Sequence, residues 1–401
     1  MTNANLRILV VDDDPFMRKL MVHLLGGLGF SSVESSDGGV AALELVCGPR
    51  PPELMLIDLE MPGMDGMELV RQLAENEYIG SVILVSAEDE RVLLMVEYLA
   101  EAHHITVLGH ARKPVNGRSL AEMIARWQPA GAPNAPLREY GAAELKAAIS
   151  SGELVNYYQP KVSVATGAVC GVETLVRWQH PADGLVPPDR FIGVAEENGL
   201  INDLTRRVLE KAMRQQNAWR RVGLNVKVAV NLSMSSFSSV AFADLVSEVV
   251  AEAGVVPQDV VLEVTESRLL LDQRAPLEVL TRLRLKRFRL SIDDFGTGNS
   301  SLTQLRKIPF DELKVDRSFV HGASRDRTAR AMYNASLGLG RQLGMEVVAE
   351  GVEDLDDWDL VRATKCDLAQ GYFIARPMPG TDFSGWVTSS ADRRSELVTV
   401  N

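Results

Sequence analysis

The sequence has little cysteine and little histidine. Only three cysteines occur in 401 residues, at Cys47, Cys170 and Cys366, and none of them forms a CxxC pair. This odd number and wide spacing exclude a disulfide framework and argue against a zinc site, so we expect reduced thiols. The six histidines form no cluster with metal-ligand spacing either. Any metal site in this chain is therefore expected to use oxygen ligands.

Long apolar runs and excess positive charge are also missing. No run approaches the roughly 18 apolar residues of a membrane span, and the N-terminus passes into a strand without a signal-peptide pattern. We therefore expect a cytoplasmic protein. The formal net charge is −12, which disfavours nonspecific attraction to nucleic acid or to an anionic membrane. An anionic substrate would need local arginine or lysine.

The first 128 residues predict a parallel, doubly wound α/β domain. The strand-like runs RILVV, LMLID and SVILVS alternate with helical stretches. Ligands of such sheets bind beyond the carboxyl ends of the strands, which here carry polar side chains. These side chains are Asp12, Asp13, Asp58, Ser86 and Lys113. The acids can bind a hard divalent cation, and one aspartate can act as a nucleophile. The lysine and the hydroxyl can hold phosphate oxygens. Together these groups indicate a phosphoryl-acceptor site.

This segment resembles the flavodoxin-like receiver domain of bacterial response regulators. The resemblance implies that Asp58 is phosphorylated by a sensor histidine kinase or a phosphorelay donor. It also implies that Asp12 and Asp13 bind one Mg²⁺, that Ser86 and Lys113 contact the phosphoryl group, and that the Lys113-Pro114 peptide is cis. One residue departs from the family pattern, because His110 stands where the family has the Tyr or Phe of its rotating switch.

Residues 129–138 are rich in Pro, Ala and Gly and predict a short linker. A second domain is predicted for residues 139–390 and a C-terminal tail for residues 391–401. The domain contains these strand-like runs: LVNYYQPKVSV, AVCGVETLVRW, NVKVAVNLS, DVVLEVTES, RLSIDDF, FDELKVD, MEVVAEG and CDLAQGYFIA. Because most of them are separated by amphipathic helices, they predict a (β/α)8 TIM-like barrel.

Polar residues occur at each strand from the second to the eighth. They are Glu173, Asn231, Glu263, Asp293 with Asp294, Lys314, Glu350 and Gln370. In such barrels these positions converge on one mouth. Converging acids repel one another unless cations neutralise them, and all-oxygen ligands favour two Mg²⁺ or Mn²⁺ ions. Two such ions are the usual device for attack of water on a phosphodiester.

The alternation of side chains along strands refines these roles. Glu173 and Arg177 are four residues apart and share a face, so Arg177 can meet a phosphate beside the metal. Lys314 and Asp316 also share a face. Glu266 points away from the face of Glu263 and is predicted to anchor a loop rather than to bind metal. Asp293 and Asp294 can share one target only if the backbone turns there, which Gly296 and Gly298 permit.

The motifs ETLVR, NLS, EVTES, DDFGTG, KVD, AEGVE and QGY, in this order, resemble the EAL family of cyclic di-GMP phosphodiesterases. The resemblance implies hydrolysis of cyclic di-GMP to linear pGpG, with catalytic roles for Glu173, Lys314 and Glu350. It implies one metal ion held by Glu173, Asn231, Glu263 and Asp293, and a second held by Asp293, Asp294 and Glu350. Lys314 would position or help deprotonate the attacking water. Contacts to substrate or to its water would come from Gln159, Arg177, Asp316, Glu353 and Gln370.

The resemblance also implies that Glu266 braces the DDFGTG loop, which connects the site to a dimer interface in the family. A homo-oligomer, a dimer or higher, is therefore expected through this domain. Two residues depart from the family pattern: Thr174 replaces an alanine, and Asn299 replaces a tyrosine. Two alternatives remain at this level. One is a catalytically weak or inactive domain that binds cyclic di-GMP or a protein, and the other is an enzyme for a different phosphodiester.

Overall fold

A computed structural model describes the chain in nine stretches. They are residues 6–76, 78–87, 90–103, 105–127, 138–265, 274–297, 305, 308–392 and 394. The chain divides into two compact units, Met1–Arg138 and Glu139–Asn401. The predicted linker falls almost wholly on residues outside the described stretches, so its conformation and the predicted domain boundaries stay predictions. None of the helices among the described residues is both long and apolar enough to cross a membrane.

The first unit is a five-stranded parallel sheet with helices. Its strands β1 to β5 are Ile8–Val11, Val33–Ser36, Leu54–Asp58, Ser81–Ser86 and Thr106–Arg112. Its helices α1 to α5 are Pro15–Gly27, Gly39–Val46, Gly66–Glu75, Glu90–Ala102 and Gly117–Ile124. The strand order is β2-β1-β3-β4-β5, and two separate apolar clusters fill the space beside the sheet. The predicted doubly wound fold is confirmed, and the carboxyl ends of β1, β3 and β4 lie at one edge.

The second unit is a closed barrel surrounded by helices. Its strands β6 to β15 are Leu154–Ser163, Val169–His180, Gly184–Val186, Lys227–Leu232, Val260–Thr265, Arg289–Phe295, Glu312–Val315, Glu346–Ala349, Leu368–Ala369 and Met378–Pro379. Its helices α6 to α14 are Ala142–Ser151, Ile192–Glu197, Ile201–Arg221, Ala241–Glu252, Arg274–Leu285, Arg317–Val320, Arg327–Gln342, Leu355–Ala363 and Gly380–Ser389. Short 3₁₀ helices are Pro188–Arg190, Met234–Ser238 and Pro257–Asp259.

The barrel contains the predicted eight strands, in the order β6-β14-β13-β12-β11-β10-β9-β7, and pairing of β6 with β7 closes it. One feature differs from an all-parallel barrel: β6 runs antiparallel to both β7 and β14. The other neighbouring pairs are parallel. The predicted barrel is confirmed with this one change of direction. Because most strands still point the same way, their carboxyl ends form a common mouth.

Strand β11 carries an irregularity that shapes this mouth. The parallel register of β11 with β12 shifts between Ile292 and Phe295. Asp294 adopts a left-handed backbone with φ 55°, a conformation in which aspartate is tolerated better than most residues. The turn between the two aspartates is therefore made by Asp294 itself, before Gly296 at φ 104°. The register shift turns the Asp294 carboxylate away from the regular alternation of the strand, as β-bulges do at active sites.

Candidate functional sites

The first unit gathers its predicted acidic residues around one lysine. Lys113 Nζ lies 2.7 Å from Asp58 Oδ2 and 2.9 Å from Asp12 Oδ2. Asp12 and Asp58 are buried, Asp13 is exposed, and one oxygen of each acid lies within 4.8 Å of the others. Burial raises the pKa of Asp58 because desolvation outweighs the nearby ammonium of Lys113. This arrangement fits a cation site next to a reactive carboxylate.

Ser86, another predicted receiver residue, lies close to this group through a backbone contact with Lys113. Ser86 is buried at the end of β4 and donates a 3.1 Å hydrogen bond to Glu60 Oε1. The Lys113-Pro114 peptide is cis, as predicted, and Lys113 N donates to Ser86 O at 2.8 Å. His110 Nδ1 lies 2.6 Å from Glu97 Oε2, so the residue at the switch position contacts α4.

In the second unit, Lys314 is the centre of the predicted acidic cluster. Its ammonium lies 2.7 Å from Glu350 Oε1, 2.8 Å from Asp293 Oδ1, 3.3 Å from Glu263 Oε1 and 3.5 Å from Glu173 Oε2. Lys314 is 1% exposed and Glu263 is fully buried. One buried ammonium therefore contacts four carboxylates from four other strands or strand ends. The carboxylates outweigh desolvation and raise the pKa of Lys314 well above its usual value.

The acids form two groups that share one residue. Glu173, Glu263 and Asp293 each place an oxygen within 4.8 Å of the others, and so do Asp293, Asp294 and Glu350. One oxygen of the first group is an orphan, because Glu263 Oε2 is buried and has no hydrogen-bond partner among the described residues. A buried carboxylate oxygen without a donor is costly unless a cation binds it. The residues present thus fit two divalent ions on either side of Asp293.

Charge counting agrees with two ions. Six carboxylates lie in the barrel interior or at its mouth: Glu173, Glu263, Asp293, Asp294, Glu312 and Glu350. Two lysines, Lys161 and Lys314, are buried among them. When all these groups are ionised, four negative charges are unbalanced, which two divalent cations neutralise. Burial of unbalanced charge is expensive in a low-dielectric interior.

Protonation reflects this imbalance when no cation is present. Burial raises the pKa of Glu263 to about 7, and burial with the charge of Asp293 raises that of Asp294 to about 6. Burial also raises the pKa of Glu350 well above its usual value. Glu173 behaves differently: burial favours its neutral form, but Lys314 and Lys161 together outweigh this effect and lower its pKa to about 2. Protons and a metal ion therefore compete for these carboxylate oxygens.

Two amide side chains contact Glu173 directly, and a third contacts one of them. Asn231 Nδ2 donates to Glu173 Oε1 at 2.9 Å, and Gln370 Nε2 donates to Glu173 Oε2 at 2.5 Å. Gln370 Nε2 also lies 3.0 Å from Gln159 Oε1, and Gln159 Nε2 donates to Ala375 O at 3.1 Å. Both glutamines are buried. They hence fix the direction of the Glu173 carboxylate.

The other predicted substrate contacts lie on the rim of the mouth. Arg177 is half-buried on the same strand as Glu173, four residues further along. Asp316 follows β12 and caps α11, accepting from Ser318 N at 2.9 Å. It is close enough to help raise the pKa of Asp294, after burial and Asp293. Glu353 Oε1 lies 3.3 Å from an Arg317 guanidinium nitrogen. Arginine and carboxylate groups therefore border the acidic cluster.

A cavity of about 290 Å³ opens beside the mouth. Its walls come from β7, β9, α7 and α8 and are mainly apolar, including Leu175, Val176, Ile192 and Leu204. Asn231, which contacts Glu173, also lines it. Asn231 therefore borders both the cavity and the acidic cluster, and the cavity offers an apolar surface to a flat group.

Three buried residues beneath the cluster were missed in the sequence. Lys161 Nζ lies 2.8 Å from Glu263 Oε1 and 2.8 Å from Glu312 Oε1, and Ser291 Oγ donates to Glu312 Oε1 at 2.9 Å. A signal for two of them was present: Lys161 is two residues after Gln159, and Glu312 is two before Lys314. Alternation along the strands places each on the same face as its predicted neighbour.

Part of the predicted loop lies outside the described residues. Glu266, the predicted loop anchor, is among residues 266–273, and Gly298 and Asn299 are among residues 298–304. Their predicted roles stay predictions.

Comparison with known proteins agrees with this architecture. The family model described as the EAL domain matches residues 142–377, and that of the response regulator receiver domain matches residues 8–125. Over 395 residues the chain is 32% identical to the cyclic di-GMP phosphodiesterase RocR of Pseudomonas aeruginosa, covering 96% of this chain and all of RocR.

Other relatives match the second unit. A Caulobacter vibrioides protein described as an uncharacterized signaling protein is 44% identical over 248 residues, which are 62% of this chain and 30% of that protein. The chain thus spans under a third of that relative but the full length of RocR. The solved phosphodiesterase MucR, in complex with cyclic di-GMP, has a TM-score of 0.58 and 38% identity, covering 60% of this chain and 98% of MucR. This chain belongs to the EAL domain family and carries a response regulator receiver domain before its EAL domain.

Proposed function

We propose that the chain is a two-component response regulator that hydrolyses cyclic di-GMP to linear pGpG. The observation that carries this proposal is the pair of acidic groups sharing Asp293 at the barrel mouth. RocR, whose full length the chain matches, is named as a cyclic di-GMP phosphodiesterase, and MucR was solved with cyclic di-GMP bound. Both the chemistry of the site and the relatives support the same reaction class.

Two Mg²⁺ or Mn²⁺ ions are the cofactors that we propose. Glu173, Asn231, Glu263 and Asp293 would hold one ion, and Asp293, Asp294 and Glu350 the other. When bound, such ions stabilise charge on the phosphoryl oxygens and lower the pKa of a coordinated water. The orphan oxygen Glu263 Oε2 supports the first site, and the left-handed backbone of Asp294 supports the second because it turns a further carboxylate to the mouth.

The protein side chains would orient the reactants. Lys314, a buried cation 2.7 Å from Glu350 Oε1, would hold that carboxylate and position or help deprotonate the attacking water. Arg177 on the rim would bind a phosphate oxygen of the substrate. Gln159 and Gln370 would contact the substrate or its water beside the Glu173 carboxylate that they orient. Asp316 and Glu353 would make such contacts from the rim of the mouth. The apolar cavity beside Asn231 suits one face of a guanine base.

The receiver domain would regulate this reaction. We propose that Asp58 accepts a phosphoryl group from a histidine kinase or phosphorelay donor, with one Mg²⁺ at Asp12 and Asp13. Ser86 and Lys113 would then contact the phosphoryl oxygens, which requires Ser86 to leave Glu60. Because this donor chemistry is cytoplasmic and the three cysteines are free thiols, we place the protein in the cytoplasm. A dimer or higher oligomer through the EAL domain completes the proposal.

The experiment that tests this function incubates purified protein with cyclic di-GMP and Mg²⁺ or Mn²⁺ and measures linear pGpG by chromatography. We expect metal-dependent product that EDTA abolishes. Folded protein that binds cyclic di-GMP without cleaving it with either metal would establish a binding module instead. Faster cleavage of another phosphodiester would retain the mechanism and change the substrate.

A further inference from the structure

The barrel interior contains a second buried lysine that the proposed reaction does not use. Lys161 lies on β6 and is 3% exposed. Its ammonium contacts Glu263 Oε1 and Glu312 Oε1, both at 2.8 Å. Both acceptors are buried, with exposed fractions of 0% and 2%. The contacts therefore exclude water, and such charge-assisted hydrogen bonds fix geometry strongly.

Glu312, one of the two acceptors of Lys161, has a second hydrogen-bond partner. Ser291 Oγ donates to Glu312 Oε1 at 2.9 Å. Glu263, Ser291 and Glu312 are register partners on the adjacent strands β10, β11 and β12. We name Lys161, Ser291 and Glu312 the floor network, because they lie in the barrel beneath the acidic cluster. Each of the three residues lies in a barrel strand, so the backbone beneath its side chain is held by the sheet.

The two carboxylate oxygens of Glu263 have different surroundings. Oε1 accepts from Lys161 at 2.8 Å and lies 3.3 Å from Lys314 Nζ. Oε2 is buried and has no partner among the residues that the structure describes. A carboxylate held by one oxygen in this way presents the other in a single direction. Metal-binding carboxylates are commonly oriented by such hydrogen bonds.

We propose that Lys161 is a positioning residue for the metal site, which rests on the two-ion function proposed above. It holds Glu263 Oε1 and thereby aims Oε2 at the ion that Glu173 and Asp293 also bind. Glu312 and Ser291 keep Lys161 in place. Lys161 itself contacts neither the metal nor the substrate.

The direction in which metal affinity changes on removal of the Lys161 charge distinguishes a positioning role from a purely electrostatic one. Removing the Lys161 charge makes the interior more negative, so Coulomb attraction alone predicts tighter cation binding. Loss of positioning predicts weaker binding, between about 10-fold and 100-fold in metal affinity, as for other groups that orient ligands. Lys161→Met keeps most of the side-chain volume while removing the ammonium. Lys161→Met with Glu312→Gln also keeps the net charge unchanged.

The test is calorimetric titration of Mn²⁺ into the full chain. All arms carry Asp12→Asn and Asp13→Asn, so that the receiver site adds no heat. Lys227→Met is the matched control, because Lys227 on β9 loses the same charge beside Lys161 and Glu312 but pairs with Glu346 at 3.6 Å instead of with Glu263. We expect weaker binding in Lys161→Met and in the charge-balanced double variant, and no more than about a threefold change in Lys227→Met.

Three outcomes distinguish the claims. If the parent protein binds no Mn²⁺ in the barrel, the proposed function itself fails. If the parent binds Mn²⁺ and both Lys161 variants bind it equally or more tightly, the positioning role is overturned while the function stands. If Lys161→Met does not fold, the double variant decides, since replacing a whole buried ion pair by neutral groups is often tolerated.

Discussion

The two acidic sites of this chain use one lysine each in different ways. In the receiver domain, Lys113 is 19% exposed on its side chain and contacts two carboxylates, Asp58 and Asp12. In the EAL domain, Lys314 is 1% exposed and contacts four. The receiver site therefore sets the buried acceptor Asp58 beside a partly solvated lysine and the exposed Asp13. The barrel site concentrates negative charge where water cannot screen it and so depends on metal ions.

The largest expected effect is the loss of activity on removing a central acid of the barrel site. Glu173→Gln keeps the size of the side chain but removes a charged oxygen ligand, so phosphodiesterase activity should fall by at least about 100-fold. Product formation at saturating metal measures it. Glu346→Gln is the control, because Glu346 begins β13 at the end opposite to Glu350. Similar losses in both variants would show that loss of any barrel carboxylate, not loss of a metal ligand, explains the effect.

Removal of Lys314 should make the unfolding temperature of the EAL domain depend on bound metal. Lys314→Met leaves four carboxylates without their shared cation, and loss of one partner of a buried ion pair costs about 3–5 kcal/mol. We expect the unfolding temperature of the EAL domain in EDTA to drop by several degrees and Mn²⁺ to restore part of it. The matching change in the receiver domain, Lys113→Met, should have a smaller effect because that lysine is partly solvated. Calorimetry of both variants with and without Mn²⁺ makes the comparison.

Metal binding in the barrel should weaken as the pH falls. The raised pKa values of Glu263 and Asp294, about 7 and about 6, mean that protons and metal compete for these oxygens. Without metal, a raised folded-state pKa stabilises the fold at low pH, and this contribution is lost as pH rises through about 6 to 7. The gain in unfolding temperature from Mn²⁺ should therefore be larger at pH 7.5 than at pH 5.5. An equal gain at both pH values would contradict these protonation states.

The smallest expected effect concerns the receiver. Addition of acetyl phosphate should change the hydrolysis rate of the parent protein, and Asp58→Asn should remove this response. The basal rate of Asp58→Asn should stay within about twofold, because Asp58 belongs to the other compact unit and asparagine keeps the shape of its side chain. Rates with and without donor provide the measurement. A response that persists in Asp58→Asn would assign the phosphoryl group to another residue.

The sequence was sufficient to predict the strands and most of the mouth. Strand ends followed by single polar residues predicted which side chains converge, from Glu173 to Gln370. The direction of β6 was not predictable, because alternation along a strand is the same whether its neighbours are parallel or antiparallel. The left-handed Asp294 was missed because the nearby glycines offered an easier turn.

The floor network was missed for a different reason. Because lysine and glutamate are rarely buried, residue type predicts Lys161 and Glu312 at the surface, although alternation along their strands places them on the inner face. Their burial becomes understandable only when both lie in the barrel with Glu263, since each then satisfies the charge of another. Such pairing between strands distant in the chain cannot be read from one strand alone.

The central claim is that two divalent cations bind on either side of Asp293. Anomalous diffraction from crystals of the full chain grown with Mn²⁺ tests it most directly. The account predicts two manganese peaks at the barrel mouth, roughly 3.5–4 Å apart, with the Asp293 carboxylate between them and Glu263 Oε2 on the first. A single peak, or two peaks that do not share Asp293, would contradict it.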